Sequence, residues 1–260
     1  MQKITALILD WAGTTIDYGC FAPVDAFIAA FEAFGITPSI DETRAPMGLP
    51  KRAHIEKMLE GKRIAAQWQK LHGRAYTEED VTAVYARFEP ALFEVLALHT
   101  DPLPGAVETV TGIRDMGLRI GSTTGYTRAM MDIVAPLAKN KGYIPDCVIC
   151  PDDTGGAGRP YPYMLWRNLE KLGVSSATEV LKAGDTAADM QEGKNAGCLC
   201  VGILKGSSML GLSEEELECK TNAQTAVLFE TARQKYMEAG ADYVIEDIGA
   251  LPALIESLNR

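Results

Sequence analysis

The chain has 260 residues, in which 25 Lys and Arg stand against 35 Asp and Glu, a formal net charge of −10. With 47% hydrophobic and 23% charged residues it has the composition of an ordinary globular protein, which excludes disordered and fibrous classes. The acidic balance argues against nucleic acid or an anionic membrane surface as the main partner, because both are bound by clustered Lys and Arg.

In chain order, the first apolar run covers residues 4–9 and reads as a strand ended by Asp10. It is too short for a secretory apolar segment or a membrane span, so a cytoplasmic location is expected. From about Phe21 to His99 there is no strand pattern, only helical stretches at 24–34, 50–59, 64–71 and 78–98. A βα crossover is far shorter than roughly eighty helical residues. This stretch therefore reads as a helical cap domain (21–99) inserted into a core made of 1–20 and 100–260, with the site expected between the two.

After Gly105, Val107, Val110, Ile113 and Met116 recur at helical spacing and Gly117 stops the helix. Strands follow at 119–123 and 147–150. Pro160 is expected to open a helix with Leu165, Leu169 and Leu172 facing inward and Gly173 ending it. Further strands are expected at 180–183, 198–204 and 243–245. Strands alternating with helices predict an α/β fold, a doubly wound, Rossmann-like parallel sheet. Residues 206–234 carry no recognisable chemistry and read as a loop and surface helix. The pairs Cys147/Cys150 and Cys198/Cys200 lie in β-branched apolar runs with no nearby His, so reduced buried thiols are favoured over zinc or redox use.

In such a sheet ligands bind beyond the carboxyl ends of the strands. Those ends carry Asp10, the run Ser122-Thr123-Thr124-Gly125-Tyr126, the Gly-rich turn leading to Arg159, and Asp185 with Asp189. This inventory suits phosphoryl transfer through an aspartyl phosphate. A carboxylate attacks phosphorus only once the surrounding negative charge is neutralised, and Mg²⁺ prefers a few carboxylates with phosphate oxygens and water. Asp10 and Asp185 would be the ligands, and Thr124, the N–H of Gly125 and Arg159 the phosphoryl donors. Asp189, four residues after Asp185, would orient a water or Arg159. The competing reading of both acids is simple helix capping.

The motifs at Asp10, Thr124, Arg159 and Asp185/Asp189, in that order and each after its own strand, resemble the haloacid dehalogenase-like superfamily of Asp-nucleophile phosphotransferases, whose cap insertion follows the first motif. Most phosphatases of the superfamily carry a second Asp two residues after the nucleophile, as general acid for an alkoxide leaving group. Here that position is Ala12, able to ligate Mg²⁺ only through its carbonyl.

Replacement chemistry is sought in the cap. Pro50 would be the first residue of a helix, placing Lys51 at a positive helix terminus and His54 on the same face. Together with burial this would lower the Lys51 pKa and free a neutral amine for a Schiff base.

The resemblance narrows to superfamily members that cleave a carbon–phosphorus bond. It rests on residues 10–15 continuing to 17–23, on Pro46-Met47-Gly48-Leu49-Pro50-Lys51, on 121–128 and on 158–162. It implies hydrolysis of a small phosphonate, phosphonoacetaldehyde, to acetaldehyde and phosphate, with Mg²⁺, in a homodimer packed through its caps. Met47, Cys20, His54 and Tyr126 would surround the imine. The alternatives are a phosphatase or phosphomutase acting on a small phosphate ester, or a non-catalytic phosphate-binding protein.

Overall fold

The structure, a computed structural model, describes residues 3–47 and 51–260. The chain divides into two compact units, one of Met1–Cys20 with Thr100–Arg260 and the other Phe21–His99.

The first unit begins with strand β1 (Ala6–Leu9), fully buried along its length. Among the described residues the second unit contains helices and no strand: α1 (Ala22–Glu32), α2 (Ile40–Arg44), α3 (Lys51–Glu60), α4 (Lys62–His72) and α5 (Glu78–Val95). Its apolar interior includes Phe27 and Phe31 from α1, Ile55 and Met58 from α3, Trp68 from α4 and Phe88 from α5. Helix α2, absent from the sequence expectation, starts at a capping box in which Ser39 and Glu42 satisfy each other's backbone N–H groups. Pro50, expected as the first residue of α3, lies outside the described residues.

Back in the first unit come α6 (Ala106–Asp115), β2 (Arg119–Thr123), α7 (Arg128–Asn140), β3 (Cys147–Ile149), α8 (Tyr163–Leu172), β4 (Val180–Gly184), α9 (Ala187–Ala196), β5 (Leu199–Ile203), α10 (Glu214–Glu218), α11 (Asn222–Glu238), β6 (Tyr243–Ile245) and α12 (Leu251–Leu258). The strands form one sheet in the order β3-β2-β1-β4-β5-β6, and each pairing is parallel. This is the expected doubly wound α/β fold. Strand order reverses beside β1, so the crevice expected to hold a ligand opens at the carboxyl ends of β1 and β4. Leu9 is in register with Ala183, which brings Asp10 level with Gly184 and Asp185 one step beyond.

Helix α8 opens at Tyr163, not at Pro160. Pro162 disfavours helical backbone at Tyr161, so the Pro160-Tyr161-Pro162 run stays a turn and the helix begins after the second proline. Gly173, left-handed at φ 64°, ends it as expected. Among the described residues no helix is long and apolar enough to cross a membrane. The six cysteines are free thiols. Burial pushes Cys147 up to about 11 and Cys150, Cys198 and Cys200 up to about 12, which makes them poor thiolates.

Candidate active site

Asp10 follows the last residue of β1, and its N–H continues the ladder by donating to the Ala183 carbonyl at 3.0 Å. The chain then turns tightly, with the N–H groups of Thr14, Thr15 and Ile16 converging on the Trp11 carbonyl and the Thr15 hydroxyl donating to the Asp10 carbonyl at 3.0 Å. Gly13 is required in this turn on two counts. Its φ is +82°, and a Cβ there would lie 2.3 Å from Oδ2 of Asp185.

Asp10, Asp185 and Asp189 are buried, and one carboxylate oxygen of each lies within 4.8 Å of the others. Asp185 receives the Ser208 N–H on Oδ2 at 2.8 Å, while its Oδ1 has no hydrogen-bond partner among the described residues. Burial, then the charges of Asp10 and Asp189, push its carboxyl well above the ordinary carboxylate range. Of four buried carboxyl groups (Asp10, Asp185, Asp189 and Glu192), three pair with two cations, the half-buried Arg159 and the buried Lys182. Four carboxyl groups against two cations, with Asp185 Oδ1 lacking a hydrogen-bond partner among the described residues, fit one divalent cation held by oxygen ligands, whose charge would favour the ionised carboxylates.

Arg159 donates from Nη2 to Asp10 Oδ1 at 2.6 Å, to the Thr123 carbonyl at 3.1 Å and to the Thr123 hydroxyl at 3.0 Å. Its Nε donates to Glu192 Oε2 at 3.1 Å, and Asp189 Oδ1 lies 3.0 Å from Nη2. Burial works against the charge of this guanidinium, but Asp10, Asp189 and Glu192 outweigh it and hold the group firmly cationic.

Asp189 closes a capping box with Thr186 at the start of α9, and it pairs with Arg159 and, at 2.7 Å, with Lys182. Although burial pushes the other way, those two cations hold its carboxyl below the usual range. Its Oδ2 accepts from Thr186, and its Oδ1 forms ion pairs with Arg159 and Lys182.

Thr124 is buried and its hydroxyl accepts from the Tyr126 N–H at 3.1 Å; Gly125 lies between them, just past β2. Burial first, then the charges of Asp17, Cys20, Asp10 and Asp185, raise the Tyr126 phenol well above its ordinary value, so it stays protonated. Cys20 is buried at a left-handed turn, φ 55°.

The helical unit holds the other expected residues. Lys51 is the first residue of α3, and its Nζ lies 5.6 Å from the ring centroid of Phe27 and 5.8 Å from that of Phe88. His54 is fully buried and stacked on Phe27 at 3.8 Å; its Nε2 sits 2.8 Å from the Thr43 carbonyl, the geometry of an Nε2–H donor. Burial, then the charge of Lys51, push His54 down to about 4, so it is neutral at pH 7 with Nδ1 as an acceptor. Met47 is half-buried, with its N–H on the Arg44 carbonyl at 2.9 Å. Gly48 and Leu49 lie outside the described residues.

Four contributing residues were missed in the sequence. The segment read as free of chemistry (206–234) supplies Ser208, whose backbone N–H holds Asp185; just beyond it, Tyr236 of α11 places its hydroxyl 2.8 Å from the Asp185 carbonyl. A backbone donor has no residue-type signature. The buried Lys182 and Glu192 were also missed, although a lysine amid the apolar residues of β4 is itself a sign of a buried partner.

A family model for haloacid dehalogenase-like hydrolases matches residues 4–197. The chain is 46% identical over 259 residues, all of its own length and 96% of the relative's, to a phosphonoacetaldehyde hydrolase of Lysinibacillus sphaericus. It is equally similar to the Bacillus cytotoxicus protein of that name, covering 98% of it. A solved structure described as a phosphonoacetaldehyde hydrolase-like protein, from Oleispira antarctica, superposes with a TM-score of 0.90 at 35% identity, over 100% of this chain and 94% of that one.

Proposed function

The chain belongs to the haloacid dehalogenase-like hydrolases, and from that premise we propose that it cleaves the carbon–phosphorus bond of phosphonoacetaldehyde, giving acetaldehyde and phosphate. The observation that carries the reading is full-length similarity, at 46% identity, to proteins of that activity. The placement of Asp10 beside Arg159, with Ala12 in place of a general acid, supports it.

The two ends of the substrate are assigned to different units. On the aldehyde side, Lys51 condenses with the carbonyl and releases one water, forming a protonated imine. Met47, His54, Cys20 and Tyr126 are assigned to its surroundings. On the phosphoryl side, Arg159, the Thr124 hydroxyl and the Gly125 N–H hold the phosphonate oxygens, donors matched to growing negative charge. A carboxylate oxygen of Asp10 bonds to phosphorus as the P–C bond breaks, and the electron pair of that bond moves into the imine to give a neutral enamine. Proton uptake at carbon and addition of water release acetaldehyde from Lys51. A second water splits the aspartyl phosphate. One water is consumed overall, since imine formation returned the other.

Asp10, Asp185 and the Ala12 carbonyl are assigned as the Mg²⁺ ligands, with Asp189 orienting Arg159. The ion would lower the negative charge that nucleophile and phosphonate share. A general acid at position 12 is unnecessary, because no alkoxide leaves. A cytoplasmic homodimer packed through its helical units accompanies this reading.

The test is incubation with phosphonoacetaldehyde, Mg²⁺ and borohydride, followed by peptide mass analysis. Phosphate release without borohydride and a reduced two-carbon adduct on Lys51 are expected. Absence of phosphate release, or an adduct on another residue, would overturn the reading.

A further inference from the structure

Arg159 must present its guanidinium to a phosphoryl group, yet it stands in an irregular stretch between the turn at Pro151–Thr154 and α8, so no regular element fixes its direction. Its direction is set instead from α9 and β4. Along one face of α9, Asp189, Glu192 and Asn195 follow at intervals of three. Asp189 pairs with Nη2 at 3.0 Å, Glu192 takes the Nε–H at 3.1 Å, and Asn195 donates to the carbonyl of Pro160 at 2.9 Å.

Two anions so close to one cation need a second cation. Lys182 of β4 supplies it, with no exposed surface, 2.7 Å from Asp189 and 3.7 Å from Glu192, and it donates to the Thr123 hydroxyl at 3.1 Å. That hydroxyl is also a partner of Arg159 Nη2 and lies 3.1 Å from Glu192. The lysine stem fits because residue 193 is glycine; a Cβ there would meet Lys182 at 3.2 Å and the Cys200 sulfur at 2.4 Å.

We propose that Lys182 and Glu192 are a positioning pair for Arg159. Glu192 fixes the rotation of the guanidinium through Nε, and Lys182 holds Glu192, Asp189 and Thr123 in place, so that Nη2 stays on Asp10 Oδ1 and the guanidinium stays beside the nucleophile. The inference rests on the reading of Arg159 as a phosphoryl-binding residue. It concerns how tightly and in what geometry a phosphoryl group is held, whatever carbon or oxygen it came from.

Removing one partner of a buried pair leaves an uncompensated charge, whereas apolar side chains of similar volume in place of both are tolerated. The variant of choice is therefore Lys182→Met with Glu192→Leu, made in the native chain and in an Arg159→Lys background. Inorganic phosphate binding to each Mg²⁺-supplemented protein is measured by calorimetry. About a tenfold loss of affinity is expected with Arg159 present, and less than twofold in the Arg159→Lys background, because residues that act through one group are not additive.

Glu192→Gln keeps an oxygen for Nε and is expected to restore affinity to within about threefold of the native chain. If the apolar pair does not fold, Glu192→Gln is carried through the same two backgrounds, and its smaller loss must vanish with Arg159→Lys. Equal losses in both backgrounds, or no loss in the native one, overturn the positioning role. Failure of the unsubstituted protein to bind phosphate overturns the underlying reading instead.

Discussion

The surroundings of Asp10 and of Lys51 differ in kind. Asp10 sits in a closed set of charges in which Arg159, Asp185, Asp189, Lys182 and Glu192 are all buried or nearly so and each is held by at least one opposite charge or hydrogen bond. Lys51 instead faces two phenyl rings, and its neighbour His54 is neutral and stacked on one of them. Phosphorus needs fixed charges at fixed distances, since charge moves onto oxygens whose positions are known. Under the proposed Schiff-base chemistry the Lys51 amine would pass from ammonium to neutral nucleophile to iminium, and would need an environment that tolerates each form. Aromatic faces attract both the ammonium and the iminium cation.

The contrast can be broken one half at a time. The largest effect is expected from Asp10→Asn, which should lower phosphate release by about 10⁴-fold or more while leaving borohydride trapping at Lys51 intact. Loss of trapping in this variant would show that the halves are not separable. Lys51→Ala should lower P–C cleavage by about 10³-fold or more and abolish trapping, with inorganic phosphate still binding. Cleavage that survived would favour a phosphate-ester hydrolase. Arg159→Lys, which cannot reproduce contacts from Nε and Nη2 together, should lower kcat by about 10²-fold and weaken phosphate binding.

The aromatic half can be probed by pH. His54 has a folded pKa near 4 against an ordinary 6.5, so the folded state binds fewer protons. Stability from a neutral His54 is fully present above about 6.5 and is lost as pH falls toward 4, up to about 3 kcal/mol. Amide exchange in α3 should accelerate across that window, and His54→Phe should flatten the dependence; an unchanged profile would contradict the assignment. The smallest effect is Thr186→Ala at the cap of α9, about 1 kcal/mol in a urea titration.

Much of the framework was legible because the relevant signals are local. Strands β2 and β6 fall on the expected bounds, and the others differ by one or two residues, since apolar runs between turn residues mark buried parallel strands. The site residues Asp10, Thr124, Arg159, Asp185 and Asp189 could be proposed because the fold places function at strand ends. Ser208 could not be found, because its contribution is a backbone N–H delivered by tertiary packing. Lys182 and Glu192 were visible as residues but not as a pair, since they are brought together only when α9 packs on β4. Helix α2 did carry a local signal, Ser39 with Glu42, too short to stand out by periodicity.

The helical unit leaves and re-enters the first unit at one point. Thr15–Asp17 meets Asp101–Leu103 through two backbone hydrogen bonds, Asp17 N–H to Asp101 and Leu103 N–H to Thr15, with an antiparallel bridge between Ile16 and Pro102. The roughly eighty residues beyond it therefore form a closed excursion, and drawing its ends together costs about 4 kcal/mol of chain entropy. In evolutionary terms this neck is a socket. Another excursion of different length could be spliced there without rethreading the sheet, so that under the proposed function the residues facing the aldehyde could change while those around Asp10 stayed in place.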